Sequence, residues 1–174
     1  MQPGTHSERT SGQACVEFAI ILPILVALLF GIYDFACAIR AHNSISNMSR
    51  EGANLASRPS AGMQDRMQDI MNVLAVTAQP LDMKANGMIF ITVVQGDTIQ
   101  SQEGWENGGL KGAVASRVGT PTASELKPKA QGLASLALAA DQTAYVVEVF
   151  YNYKSLFSNG GLLLGKQLYS RTVF

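Results

Sequence analysis

The sequence predicts an α+β protein in which a long N-terminal helix and a shorter second helix precede a small antiparallel β-sheet. Three patterns predict this fold. An almost purely apolar run occupies residues 18–39, apolar side chains recur at helical spacing over 63–78, and residues 143–153 alternate as a half-buried strand does. The 174 residues suffice for one domain of ordinary size.

The apolar run is long enough to cross a membrane. From Phe18 to Ile39 it carries a single charge, at Asp34, and as a helix it would extend ~33 Å, about the thickness of the hydrocarbon core of a bilayer. Pro23 lies inside the run and removes the hydrogen bond to the carbonyl of Ala19. We therefore expect a kink or local melting of the helix at Pro23.

Beyond the apolar run the helix is expected to continue as an amphipathic segment. One face carries its apolar and small residues, which are Ile39, Ile45, Met48, Gly52 and Leu55 or Ala56. Arg58-Pro59 should end the helix, because the residue before a proline is disfavoured in the α region. The sequence thus predicts one helix over residues 13–57, membrane-spanning over about 18–39, and a further domain over 60–174.

A second helix is predicted to begin at Ser60, whose side chain can cap it, and to end at Pro80. Its apolar face comprises Met63, Met67, Ile70, Met71, Leu74 and Ala78. We interpret these methionines as core side chains rather than as metal ligands, because the flexible thioether fills irregular gaps in a core.

After Pro80 the apolar period changes to two, which predicts strands. The expected strands are Met88–Gln95, Thr98–Gln102, Thr143–Tyr153 and Gln167–Phe174, the first two forming a hairpin. Residues 103–132 are rich in Gly, Pro, Ser and Thr and are predicted to be mostly loop, whereas 133–140 could form a short helix or lie flat on the sheet. Trp105, in this loop, could be an exposed binding aromatic or could cap the core of the sheet.

Composition and charge exclude several classes of function. Lys plus Arg equals Asp plus Glu, 13 each, so no excess of charge indicates nucleic acid as a partner. Two histidines and two cysteines are too few for a zinc finger or a disulfide scaffold, and Cys15 and Cys37 lie ~33 Å apart along one helix. Residues 160–167, GGLLLGKQ, approach a phosphate-binding loop but place Gln167 where Ser or Thr is needed. We predict no catalytic residue, cofactor, metal or small-molecule substrate.

Glu17 is the residue that a plain membrane anchor does not explain. A carboxylate at the edge of an apolar span is costly to bring into the membrane. If the chain is cut after Gly12, however, Gln13 becomes the first residue and Glu17 the fifth. The new amine of one subunit could then neutralise the carboxylate of another in a packed helical core. Such a cut would make residues 1–12 a leader, with cleavage between Gly12 and Gln13.

Two other interpretations of the span stay open. The first is an uncleaved single-span membrane protein with an extracytoplasmic binding domain. The second is a secreted enzyme freed after Ala38, although the apolar run exceeds the ~7–15 residues usual in a signal peptide and Glu17 stands where Lys or Arg is expected. Arg9 precedes the span and Arg40 and Arg50 follow it, so the positive-inside rule does not fix the orientation.

Four segments carry a resemblance to a known family. Residues 12–23 read GQACVEFAIILP, residues 31–35 read GIYDF, residues 50–53 read REGA, and the late strand over 145–153 reads YVVEVFYNY. In these segments the chain resembles the TadE-like pseudopilins. In that family a polar leader ends in Gly, a Val-Glu-Phe-Ala run follows, and a proline interrupts the apolar helix.

The resemblance implies a pilin-like fold and a structural function in pilus assembly. It predicts a minor pseudopilin that a prepilin peptidase trims after Gly12 and that a Flp-type adhesive pilus needs for assembly, with Glu17, Phe18 and Pro23 as assembly residues. The implied partners are the peptidase, the Flp major pilin, a TadF-like pseudopilin, and the pilus platform and ATPase. The implied location is the bacterial inner membrane, with one span and an extracytoplasmic C-terminal domain, and later the pilus or cell surface. The length of chain after the helix argues against the major pilin.

Overall fold

The computed structural model describes residues 6–58, 63–122, 127–133, 138–155 and 166–174. In these ranges the elements are α1 (His6–Ala56), α2 (Met63–Thr77), α3 (Met83–Asn86), β1 (Gly87–Gln95), β2 (Thr98–Gly104), β3 (Thr143–Tyr153) and β4 (Lys166–Val173). The chain divides into two compact units, Met1–Ile39 and Arg40–Phe174. The predicted α+β class is confirmed: an apolar N-terminal helix, a further helix and a four-stranded antiparallel sheet.

The long helix starts earlier than predicted, and it is continuous across its proline. It begins at His6 rather than at Gln13, because once a helix is nucleated each further residue is added at little cost and no breaker stands between His6 and Gly12. The backbone stays helical across Pro23, so of the two effects expected there, a kink or local melting, the melting is excluded. The helix ends at Ala56, close to the predicted end at Ser57.

The second half of α1 supplies one wall of the core. Ile45, Met48, Gly52 and Ala56 are buried as predicted, and Ala41, Ser49 and Ala53 join them on the same face. Ile39 is 47% exposed, so its predicted place on this face is wrong. Ile39 belongs to the first unit, and the first buried residue of the second unit is Ala41.

An arginine joins the end of α1 to α2. Arg66 Nη2 donates to the carbonyl oxygen of Leu55 at 2.9 Å, and its Nη1 donates to the carbonyl of Arg58. The last carbonyls of a helix have no partner within the helix, so a guanidinium there both caps α1 and offsets its dipole. The predicted start of α2 at Ser60 lies outside the described residues.

The buried face of α2 follows the predicted period. Met67, Ile70, Met71, Leu74 and Ala78 are buried, which confirms Met67 and Met71 as core side chains. The side chain of Met63 lies outside the described part of the chain. Met48, Met83 and Met88 are buried as well. The helix ends at Thr77, three residues before Pro80. The short helix α3 was not predicted; Asp82 caps it by accepting a hydrogen bond from the backbone N–H of Ala85 at 3.1 Å.

The sheet has the order β2-β1-β3-β4, with every pair antiparallel. All four strands lie within two residues of their predicted ranges, and β3 matches exactly in both bounds. One face of the sheet, with Ile89, Ile91, Val147 and Val149, packs in a single core cluster with residues of α1 and α2.

The other face of the sheet is covered largely by irregular chain, as the composition of 103–132 predicts. Leu110 and Val118 from this segment are buried in clusters with Phe150 and Val146 of β3, respectively. Among the positions that lie outside the described residues are 123–126, 134–137 of the predicted helix or flat segment at 133–140, and 160–165 of the GGLLLGKQ run.

Candidate assembly site in the N-terminal helix

Glu17 and Gln13 lie one turn apart on the same face of α1, as residues four apart in a helix must. Gln13 Nε2 donates a hydrogen bond to Glu17 Oε1 at 3.0 Å, and both side chains are exposed. The carboxylate at the edge of the apolar run therefore accepts a hydrogen bond from its own chain. The sequence placed the two residues together but did not predict this contact.

Gly12 has open space around it. A Cβ built on its backbone would meet no atom within 4 Å, and the same is true of Gly31 further along α1. Neither glycine is needed for close packing within the described chain. If a glycine is required at position 12, the requirement comes from another molecule.

The apolar residues after Glu17 are uncovered. Phe18 is 60% exposed, Pro23 is exposed, and the other large apolar side chains from Val16 to Ile39 are exposed as well. The most apolar window of α1 has a mean hydropathy of 2.7, and none of it is buried. By length and composition α1 can cross a membrane, and so much exposed apolar surface requires a cover of lipid or protein. Asp34 is the exception in this segment, being only 4% exposed.

The Arg-Glu-Gly-Ala segment of α1 has a packing function in the second unit. Gly52 lies against α2 and β3: a Cβ there would come within 2.8 Å of Leu74 Cδ1 and 3.1 Å of Val147 Cγ1. Ala53 is buried beside it, whereas Arg50 and Glu51 are exposed. One helical turn earlier, Ser49 Oγ lies 2.9 Å from the hydroxyls of both Ser170 and Thr172 on β4. The small side chains thus let α1 approach the sheet closely.

Sequence reasoning missed a buried polar cluster on the opposite face of the sheet. Glu148 of β3 is fully buried, and Ser116 Oγ, the backbone N–H of Arg117 and Tyr169 Oη all donate to its carboxylate, the latter two at 3.0 and 2.8 Å. The Arg117 guanidinium also lies 4.1 Å from the centre of the Tyr169 ring. The signal available in the sequence was a lone acid at an inward position of the alternating strand.

The cluster has an electrostatic consequence for Tyr169. Burial raises the pKa of its phenol well above the ordinary value, and the neighbouring Glu148 carboxylate raises that pKa further because a phenolate there would face a second negative charge. The phenol is therefore held in its neutral, donating form. Tyr169 connects β4 to the buried Glu148 carboxylate through its hydrogen bond. Ser116 connects the irregular segment to the same carboxylate.

Trp105 is 1% exposed, so its interpretation as an exposed binding aromatic is wrong and it belongs to the core. Its Nε1 donates to Asn72 Oδ1 of α2 at 2.9 Å. Gln68 of α2 fixes the neighbouring backbone by donating to the carbonyl of Gly104 at 2.9 Å and accepting from the N–H of Glu106 at 3.2 Å. The composition of the loop favours an exposed Trp105, but these contacts with α2 hold the indole in the core.

A groove of about 660 Å³ lies beside this tryptophan, between the end of α2 and α3. Its lining mixes amide and charged side chains with apolar ones, among them Asn72, Val76, Gln79, Asp82 and Lys84. Within the described ranges, no three His, Cys, Asp or Glu side chains group closely enough to hold a metal ion. Cys15 and Cys37 are both free thiols.

Comparison with known proteins adds one match. The family model of TadE-like proteins matches residues 12–54, the segment that contains Gly12, Glu17, Pro23 and Gly52. No curated protein and no solved structure matches the chain. That family is a structural one associated with the Tad pilus system, and α1 of this chain has the length and composition of a membrane anchor. The predicted resemblance is thereby confirmed over residues 12–54, where the chain is TadE-like, whereas the strand at 145–153 lies outside the match.

Proposed function

We propose that the chain is a minor pseudopilin of a Flp-type adhesive pilus, trimmed after Gly12 by a prepilin peptidase and then packed into or onto the pilus through α1. The observation that carries the proposal is the position of Glu17. Within the TadE-like segment it lies at the start of an uncovered apolar helix and one turn after Gln13, whose amine would be exposed by cleavage after Gly12.

Cleavage would change the partners that Glu17 can find. At the membrane edge the carboxylate accepts a hydrogen bond from the Gln13 amide and can stay partly hydrated. In a packed helical core an anion without a cation is several kcal/mol less favourable. The free amine of a neighbouring subunit at the same depth supplies that cation. The exposed run of α1, including Phe18 and Pro23, would exchange lipid for the helices of other subunits.

The partners follow from this proposal. They are the prepilin peptidase, the Flp major pilin, a TadF-like pseudopilin, and the platform and ATPase that drive extrusion. The chain would lie in the bacterial inner membrane with one span and the Arg40–Phe174 unit outside the cytoplasm, and later in the pilus, where it serves adherence and biofilm formation. It would act as a structural subunit and as a substrate of the peptidase, without catalytic residues of its own.

Cleavage is tested by comparing Gly12→Val with Gly31→Val in cells that carry the pilus genes. Both glycines lie in α1 with open space around them, so valine should have similar effects on the helix at the two positions. We expect the first variant to keep its leader, because a peptidase cleft built around glycine would be blocked by a branched side chain, and the second to be trimmed normally. The intact mass of the membrane-bound chain shows whether the leader has been removed in each variant. A trimmed Gly12→Val chain would contradict the proposed cleavage.

A second candidate function is an uncleaved single-span membrane protein with an extracytoplasmic binding domain. The groove between α2 and α3 favours it, since its amide and charged side chains could hold a polar ligand. The same mass measurement separates the two: a wild-type chain that retains residues 1–12 supports the uncleaved protein.

A further inference from the structure

Resting on the proposed cleavage, we propose that Gln13 of the trimmed chain is a modification site, at which ring closure to pyroglutamate is held back by Glu17. Cleavage between Gly12 and Gln13 would make glutamine the first residue. An amino-terminal glutamine carries both reactants of an intramolecular condensation, an amine and a carboxamide separated by the atoms of a five-membered ring.

The reaction needs no partner or oxidant. The neutral α-amino nitrogen attacks the side-chain carbonyl carbon Cδ, a bond forms between these two atoms, and the bond from Cδ to Nε2 breaks. Nε2 leaves as ammonia after taking one proton from the attacking nitrogen. The product is a lactam, which has lost the mass of one ammonia and no longer carries a basic amine.

The hydrogen bond to Glu17 opposes this reaction through geometry. Ring closure requires the carboxamide to fold back onto the nitrogen of its own residue. In the structure that carboxamide instead donates from Nε2 to Glu17 Oε1 at 3.0 Å, to a residue one helical turn towards the C-terminus. A side chain engaged in this contact is not folded back, so only the fraction of molecules in which the contact is broken can cyclise.

The modification would decide whether a subunit can assemble. The open form presents the cation that a neighbouring Glu17 needs, whereas the lactam presents none. A subunit that waits in the membrane with its contact broken would thus lose its amine irreversibly. The same carboxylate that a neighbour pairs with would preserve the amine of its own chain until assembly.

The test follows the mass of the amino-terminal peptide of the full-length chain, purified from membranes at intervals after a pulse of synthesis. We expect wild type to lose ammonia slowly and Glu17→Val to lose it about two- to fivefold faster, the change that corresponds to removing a charge-assisted pair at this spacing. Glu17→Gln keeps an acceptor oxygen without the charge and should fall between the two. Gln13→Ala sets the baseline, since it cannot cyclise.

Each outcome decides the question. Equal rates of ammonia loss in wild type and Glu17→Val, with the leader removed in both, would overturn the protection by Glu17 and leave the proposed cleavage intact. A wild-type peptide that still contains Gly12 would overturn the proposed cleavage and, with it, the modification. Faster loss in Glu17→Val than in Glu17→Gln would support the hydrogen bond as the cause.

Discussion

Replacing Gly52 by alanine tests how tightly α1 packs in the second unit. The added Cβ would lie 2.8 Å from Leu74 Cδ1 and 3.1 Å from Val147 Cγ1, whereas ordinary van der Waals contact begins at 3.4 Å. Leu74 Cδ1 is the end of a flexible side chain and can rotate away. Val147 is β-branched and lies in an inner strand, so it can yield only if the strand or the helix moves.

Two effects of opposite sign set the magnitude. Alanine is better than glycine in a helix by about 1 kcal/mol. Forcing a methyl group into a filled core costs about 1–3 kcal/mol. The packing effect is larger, and we expect Gly52→Ala to lower the free energy of unfolding by about 1 kcal/mol, which lowers Tm by roughly 4 °C for a unit of this size. Gly52→Val adds two further methyl groups at the same point and should cost more.

Urea unfolding followed by the fluorescence of Trp105 measures this change. Trp105 is the only tryptophan of the chain and is buried in the same cluster as Leu74. As a control, Leu74→Ala removes the nearer clashing atom, so Gly52→Ala should cost less in that background than in wild type. An increase in stability of about 1 kcal/mol in Gly52→Ala alone, as for a helical glycine with free space, would refute the packing argument.

Four further predictions concern the proposed assembly residue Glu17, the Arg40–Phe174 unit and the buried cluster around Glu148. Glu17→Val should be trimmed normally but reach the sheared pilus fraction at a severalfold lower level, because the amine of a neighbouring subunit would no longer find a carboxylate to pair with. Unchanged assembly would show that the carboxylate is an ordinary helix-end residue. A chain beginning at Arg40 should be soluble and unfold cooperatively, since it lacks the exposed apolar run and keeps the buried face of α1; its aggregation in gel filtration would contradict this. Glu148→Leu leaves three donors without their acceptor and should lower the free energy of unfolding by about 3 kcal/mol or more, measured against Tyr169→Phe, which removes a single donor and should cost about 1–2 kcal/mol. Because the pKa of Tyr169 is raised on folding, its contribution to stability is complete below the unfolded value of 10.0 and is lost as pH rises through the folded value; an absorbance titration that finds all phenols ionising together near pH 10 in the folded chain would contradict this.

Most of the helices and strands could be predicted because the pattern that indicates each of them lies within a short stretch of sequence. The helical period of α2, the alternation in β3 and the hairpin signal between β1 and β2 are properties of a few neighbouring residues, and the structure confirms all three. The start of α1 at His6 could not be predicted, because residues 6–12 have no apolar period and are helical nevertheless. Helix α3 was missed because four residues carry too little periodicity to be recognised.

The residues of the proposed assembly site can be picked out from the sequence, whereas those of the buried cluster cannot. Gly12, Glu17 and Pro23 stand within one short segment, and a family resemblance over that segment points to them directly. Glu148 and Ser116 are 32 residues apart in the chain and meet only when irregular chain folds over the sheet. Trp105 was ambiguous for the same reason: its burial depends on Asn72 of α2, 33 residues earlier.

Gly52 packs in the core of the second unit although it lies within the TadE-like match, so the end of the match does not coincide with the boundary between the two units. The match runs to residue 54, yet the second compact unit begins at Arg40, so the last part of the matched segment forms a wall of that unit's core. An exchange of N-termini between related subunits that cuts at 54 would transplant Ile45, Met48 and Gly52 onto a sheet shaped for other side chains. A cut at Arg40 would move the apolar half of the helix alone. Chimeric subunits, whether built in the laboratory or arising by recombination, should therefore tolerate the second cut and fail to fold with the first.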